Sequence, residues 1–294
     1  RGEFLDRLQS KLKEVSEGEG HCVFVSGEAG IGKTSLVKTF CKELQTRCAI
    51  FQGTCDALFT PRPLAPLYDI LLQIGSNLPE NTPNIADRTL FFTRVFNEFK
   101  SQKETCLVIF EDIHWADDAT FDFIKFFARR VAQLRCLFVL TYRDTEVHAN
   151  EHLKGILGHL NRDSFTRFEL PPLSKHAVDQ MSEGRGYRGE DVYSVSGGNP
   201  FYVNEILANY STGIPENIRD SVLSVFNRLE EKTKNAWKIL SVLPAPFEIN
   251  YLKKMDPGFT GVIDDCIKHR ILVVNKDLIA FKHELYRRTI EASL

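Results

Sequence analysis

An α/β fold built on a parallel sheet, followed by a smaller and mainly helical region, is what the apolar pattern of this chain predicts. Residues 22–26 (CVFVS), 106–110 (CLVIF) and 136–141 (CLFVLT) are unbroken apolar runs rich in β-branched and aromatic residues. Strands buried on both faces look like this, and such strands belong to parallel sheets covered by helices. Amphipathic helical patterns separate the runs, and after Pro171-Pro172 the strand–helix alternation stops.

The elements follow in order. The strand at 22–26 runs into a glycine-rich turn and a helix from about Lys33 to Leu44. A second strand reads at 48–52 (CAIFQ). Pro61, Pro63 and Pro66 then make a loop before a helix near Leu67–Ile74. Residues 87–100 read as a helix and Thr166–Leu170 as a last strand. Beyond Pro172, residues 174–212 read as short helices with glycine interruptions. Helical patterns follow at Ile218–Leu229, Thr233–Val242, 249–255 and 260–269. Strands at 271–275 and 278–282 then flank Lys276-Asp277, a two-residue hairpin signal. Helices followed by a hairpin have the outline of a winged helix. The expected domains are 1–170, 171–212 and 213–294.

The 294 residues exceed what one ordinary core holds, and the 43% hydrophobic and 26% charged composition is that of a globular protein. A net charge of −2 gives no general hold on nucleic acid or anionic lipid. No apolar run approaches the ~18 residues of a membrane span, and no signal peptide is visible. The seven cysteines are odd in number and scattered; Cys41, Cys48 and Cys55 recur every seven residues without partners that complete a metal set. Reduced core thiols in a cytoplasmic protein are therefore expected. The chain opens on Arg1 and stops just after an expected helix, so a segment of a longer protein is expected.

Chemistry concentrates in three places. Gly27-Glu28-Ala29-Gly30-Ile31-Gly32-Lys33-Thr34 fits G-x-x-x-x-G-K-[ST] between a strand and a helix. In such a loop, backbone N–H groups wrap phosphates and the helix N-terminus adds positive charge. Lys33 reaches the β- and γ-phosphates and Thr34 ligates Mg²⁺. The expected ligand is therefore a purine nucleotide, ATP or ADP with magnesium. The second place is Glu111-Asp112, at the end of the 106–110 run, where α/β sheets bind ligands at the strands' carboxyl ends. One carboxylate would hold Mg²⁺ and the other would polarise water. Asp117 and Asp118 are better placed to cap the next helix. The third place is Thr141-Tyr142-Arg143, where a guanidinium on the same edge can sense a terminal phosphate.

EDIHWAD (Glu111–Asp117), TYR (Thr141–Arg143) and GGNPFYV (Gly197–Val203), in that order, resemble the signal-transduction ATPases with numerous domains, the STAND class. Within it the chain is most similar to the AAA-type ATPase module of large LuxR-type transcriptional regulators. The resemblance implies an α/β P-loop NTPase with a parallel sheet, then a small helical lid domain and a winged-helix domain. It also implies that Arg1 and Glu3, in the opening Arg1–Leu5 motif, lie near the adenine. Gly30, Gly32, Lys33, Thr34 and Ser35 would contact phosphates or Mg²⁺. Glu111 and Asp112 would form the Walker B pair, and Arg143 the first sensor. Pro200 would pack on the adenine from the lid, and His283, the best match in Phe281–Leu285, would approach the β-phosphate of ADP.

The chain departs from the family at Glu111, where Asp is commoner, and no arginine finger stands out; both fit slow or partner-dependent hydrolysis. Under the resemblance, an ADP-bound closed form is inactive, an ATP form self-associates, and output and sensor domains lie outside this segment. A DNA-binding initiator or loader, a small-molecule kinase and a module that never turns over its nucleotide are the other readings. Residues 213–294 hold 13 basic against 11 acidic residues, a weak basis for DNA contact.

Overall fold

The computed structural model describes residues 1–44, 48–56, 63–76, 88–147, 150–159, 165–208, 214–243, 246–248, 254, 259–275 and 278–294. They form two compact units, Arg1–Leu170 and Pro171–Leu294.

The first unit runs α1 (Gly2–Glu17), β1 (His21–Gly27), α2 (Lys33–Leu44), β2 (Ala49–Thr54), α3 (Ala65–Ile74), α4 (Arg88–Ser101), β3 (Cys106–Glu111), α5 (Asp118–Ala128), β4 (Cys136–Arg143), α6 (Glu151–His159) and β5 (Phe165–Glu169). The five strands form one sheet in the order β2-β3-β4-β1-β5. Every pairing is parallel. Gly27 at the end of β1 lies opposite Arg143 at the end of β4, and Thr54 lies opposite Glu111. The predicted loop, acidic pair and arginine therefore share one edge.

Side-chain alternation splits the core in two. Val23, Val25, Leu107, Ile109, Leu137 and Val139 face α1 and α2, meeting Leu8, Leu36, Val37 and Phe40. Phe24, Val108, Phe110, Phe138 and Leu140 face the other way, against Phe92, Phe96, Phe123 and Phe127. This second face is aromatic: Phe138 lies 5.4 Å from Phe110 and 5.0 Å from Phe127, ring to ring, both edge-on. Such pairs add about 0.5–1.5 kcal/mol each beyond area burial.

Two helices were not expected. α1 buries Leu8, Leu12 and Val15, and α6 buries Leu153 and Ile156. Both sets recur at helical spacing. The expected strand at Thr166–Leu170 is β5, displaced by one residue.

The second unit holds α7 (Lys175–Ser182), α8 (Gly189–Ser196), α9 (Pro200–Ala208), α10 (Glu216–Asn227), α11 (Glu231–Ser241), β6 (Phe247–Glu248), α12 (Phe259–Lys268), β7 (Leu272–Asn275), β8 (Leu278–Phe281) and α13 (Glu284–Glu291). Val178, Val192, Val203 and Leu207 pack α7–α9 together. Ile218, Val222, Trp237, Leu240, Ile263 and Ile279 pack the rest, with Tyr202 of α9 among them. The expected β7–β8 hairpin is present, with Asn275 opposite Leu278, and β6 adds a third strand. The turn residues Lys276-Asp277 lie outside the described residues, as does the expected helix at 249–255 apart from Lys254.

Candidate nucleotide site

The Gly27–Thr34 loop leaves β1 at a point no other residue fits well. Gly27 has φ +149°, and a Cβ there would meet Ile31 Cγ2 at 2.8 Å. Ile31 is 1% exposed and anchors the loop in the α1–α2 core. Gly32 has φ +96° and open space where a Cβ would be, so the loop backbone stays accessible. Residues 33–35 open α2, and the first N–H groups of a helix have no intrahelical acceptor. No acidic residue occupies that first turn, so nothing offsets its positive end. Lys33, Thr34 and Ser35 thus stand in an anion-binding geometry with Ala29 and Gly30 in the loop before them.

Lys33 is 7% exposed. Its amine donates to the carbonyls of Gly27 at 3.0 Å and Glu28 at 2.9 Å, curling into its own loop. Burial pushes it down to about 8, Asp112 and Asp144 pull it up, and Arg143 pushes it down further. The Arg1 guanidinium donates to the Ile31 carbonyl at 2.6 Å, tying the N-terminal motif to the loop. Glu3, exposed, lies two residues on in the first turn of α1.

The two acids occupy different environments. Glu111 is 4% exposed and by alternation shares the α2 side of β3 with Leu107 and Ile109. Its Oε1 accepts from Gln52 Nε2 on the neighbouring strand. Gln52 is itself fixed by Gln73, which accepts from its backbone N–H at 2.9 Å and donates to its carbonyl at 2.7 Å. Asp112 turns off the strand with φ 54°, left-handed, which Asp tolerates better than most residues. Its N–H donates to Thr141 Oγ1 at 2.9 Å, and Thr141 is fully buried on β4. The guanidinium of Arg143 lies 5.7 Å from the centre of the Trp115 ring.

The sequence assigns no role to Gln52, Asp144 or Trp115, and it names Thr141 only as part of the Thr141–Arg143 motif. Each acts across strands or loops distant in sequence. The capping expectation for Asp117 holds: its Oδ1 accepts from Ala119 N at 2.9 Å and Thr120 N at 3.1 Å. Its Oδ2 also accepts from Leu64 N at 3.1 Å, a bond to the α3 turn. Asp117→Ala is expected to cost about 1–2 kcal/mol, measured by denaturant unfolding, with nucleotide affinity unchanged.

The other predicted residues belong to the second unit. Gly197 ends α8 at φ +59°, and Pro200 opens α9, the first-turn position that suits proline. Asn199 Oδ1 accepts from Phe201 N at 3.1 Å. His283 is 2% exposed and packs edge-on against Tyr202 and Tyr286, with centroids 5.3 and 5.1 Å away. A Cβ at Gly197 would come within 2.6 Å of His283 Nδ1. The GGNP loop and His283 are thus brought together. Burial, with Lys282 beside it, pushes His283 down to about 4, so the ring is neutral at pH 7.

A parallel sheet with a phosphate-type loop after β1 and acids ending β3 defines a P-loop ATPase fold. The family model of the AAA ATPase domain matches residues 1–140, which lie within the first unit. Solved structures similar in fold include a Walker-type ATPase of Pyrococcus abyssi, 13% identical over 98% of this chain and 94% of that one, TM-score 0.61. The ORC2 protein of Aeropyrum pernix, solved with ADPNP and ADP, is 12% identical over 100% of this chain and 94% of that one, TM-score 0.59. A hybrid signal transduction histidine kinase of Dictyostelium discoideum is 33% identical over 70 residues, 24% of this chain and 2% of that protein. Among the described residues no helix is long and apolar enough to cross a membrane.

Proposed function

We propose that the chain is a nucleotide-dependent signalling switch of the STAND class that binds ATP and ADP with Mg²⁺ and hydrolyses ATP slowly. The observation that carries this reading is Lys33, buried inside an open anion-binding loop and coupled electrostatically to Asp112 and Arg143. The loop N–H groups and Lys33 hold the phosphates, exchanging the Gly27 and Glu28 carbonyls for phosphate oxygens. Thr34 and one carboxylate of the pair suit Mg²⁺, which favours a hydroxyl and a carboxylate supplemented by phosphate oxygens and water. When bound, Mg²⁺ neutralises charge on the phosphate oxygens. One of the pair, Glu111 or Asp112, holds the metal and the other orients water. Arg143, on the same edge, senses the terminal phosphate.

The second unit, read as a lid (171–212) and a winged helix (213–294), supplies Pro200 and His283 to the adenine and β-phosphate. ADP holds the closed, inactive form, and ATP favours the open form that self-associates. Output, transcriptional in this reading, is carried elsewhere in a longer protein. Each nucleotide shifts the equilibrium only by its difference in affinity for the two forms.

Replacing both acids (Glu111→Gln with Asp112→Asn) is expected to slow ATP hydrolysis about 100-fold while ATP binding persists. Size-exclusion chromatography of that variant should give larger species with ATP than with ADP. Identical sizes with both nucleotides would remove the switch.

The fold likeness to the ORC2 protein of Aeropyrum pernix keeps the DNA-binding initiator as a second reading. Among the described residues of the β7–β8 hairpin, Val273, Val274 and Leu278 are exposed, and apolar side chains are poor chemistry for phosphate contact. Salt-dependent binding of duplex DNA by this chain would favour the initiator.

A further inference from the structure

We infer that the second unit carries a ligand site of its own, for a small, largely apolar molecule bearing one carboxylate. A cavity of about 630 Å³ lies among α8, α9, α10 and α13. That volume falls within the range of small-molecule sites. Its walls include Val192, Val195, Ile206 and Leu285, with Arg219 as the decisive polar group. None of these residues belongs to the candidate nucleotide site.

The apolar walls and one unpaired charge specify the ligand. Arg219 makes no ion pair among the described residues, in contrast to the second cavity arginine, Arg288, whose Nε donates to Glu284 Oε1 at 3.3 Å. The remaining charged wall residue, Asp191, already faces Arg188 at 3.9 Å. The uncompensated charge of the cavity is therefore positive, and a guanidinium pairs best with a planar oxyanion. Apolar walls and one open cation fit an amphipathic carboxylate.

The cavity is bounded by helices from both parts of the second unit, the GGNP-bearing helices α8 and α9 and the helices α10 and α13. An occupant holds these parts together. Binding there requires nothing of Lys33 or the P-loop.

The test uses the 294-residue chain with 4-phenylbutyrate as probe and 4-phenylbutanol as its uncharged counterpart. Saturation-transfer NMR and calorimetry should show saturable 4-phenylbutyrate binding with Kd below about 1 mM. Val195→Trp, or Ile206→Trp should the first variant melt early, should abolish it and leave ADP binding intact. Arg219→Ala should weaken 4-phenylbutyrate at least about tenfold, or 1.4 kcal/mol, and leave 4-phenylbutanol unchanged. Absence of saturable binding by chain that still binds ADP would overturn the site. So would binding that survives a folded cavity-filling variant, or equal affinity for acid and alcohol.

Discussion

Lys33→Ala is expected to abolish retention of ATP and ADP by the purified chain. The amine now bonded to the Gly27 and Glu28 carbonyls is the one that turns to phosphate. Hydrogen bonds to charged groups contribute about 1.5–3 kcal/mol each. Losing one or two raises Kd by about 10–10⁴-fold, read by titration with a fluorescent ADP analogue. The same amine sets a pH dependence. Its pKa in the empty protein lies near 8, lowered mainly by burial. Phosphate oxygens favour the charged form and raise it. Above pH 8 the empty protein has lost that proton and must take it up on binding, so affinity falls as pH rises through 8. Calorimetry in buffers of different ionisation enthalpy should show proton uptake at pH 8.5 and little at pH 7. A Lys33→Ala chain that binds as tightly as the parent would remove Lys33 from the site.

The second large effect is on folding. Phe138 is fully buried on β4, between Val108 and Cys22 of its neighbouring strands, and packs edge-on against Phe110 and Phe127. Phe138→Ala removes both ring contacts and leaves a cavity that close-packed strands cannot collapse, at about 3–5 kcal/mol. Stability of a domain is about 5–15 kcal/mol, so much of it is lost. At about 2–4 °C per kcal/mol for a unit of this size, the first unit should melt roughly 10 °C lower. Leu278→Ala, at a side chain 41% exposed, should stay within about 0.5 kcal/mol and serves as the control. A Phe138→Ala cost below about 1 kcal/mol would contradict the packing described. Because β4 also carries Thr141 and Arg143, this variant should weaken nucleotide binding as well.

The strands were legible because burial on both faces writes a continuous apolar run, and the runs at 106–110 and 136–141 became β3 and β4 nearly residue for residue. The order of strands was not, because β1 inserts between β4 and β5 through pairings distant in sequence. The site divides the same way. Gly27–Thr34 is one contiguous segment whose chemistry is local, so its pattern is visible in the sequence. The Gln52–Glu111 and Thr141–Asp112 bonds join strands 59 and 29 residues apart, and residue type alone marks neither partner. The α1 helix was missed for a different reason. Arg1–Leu5 stands out as a motif of residue types, while the helical signal lies in the spacing of Leu8, Leu12 and Val15 further on. His283 shows where one residue type says least. The sequence offered it as a phosphate contact, and it lies buried beside Gly197 and two tyrosines. A neutral, buried ring serves as packing and as a latent donor to an anion equally well.

The proposed switch requires that this chain retain an adenine nucleotide. The direct measurement is to denature freshly purified protein and identify any released nucleotide by chromatography. ADP near one equivalent per chain is the expected result, with a higher melting temperature on readdition; saturation at about 100-fold over Kd adds about 2.7 kcal/mol. Protein that releases no nucleotide, and whose melting temperature ignores both ATP and ADP, would contradict it.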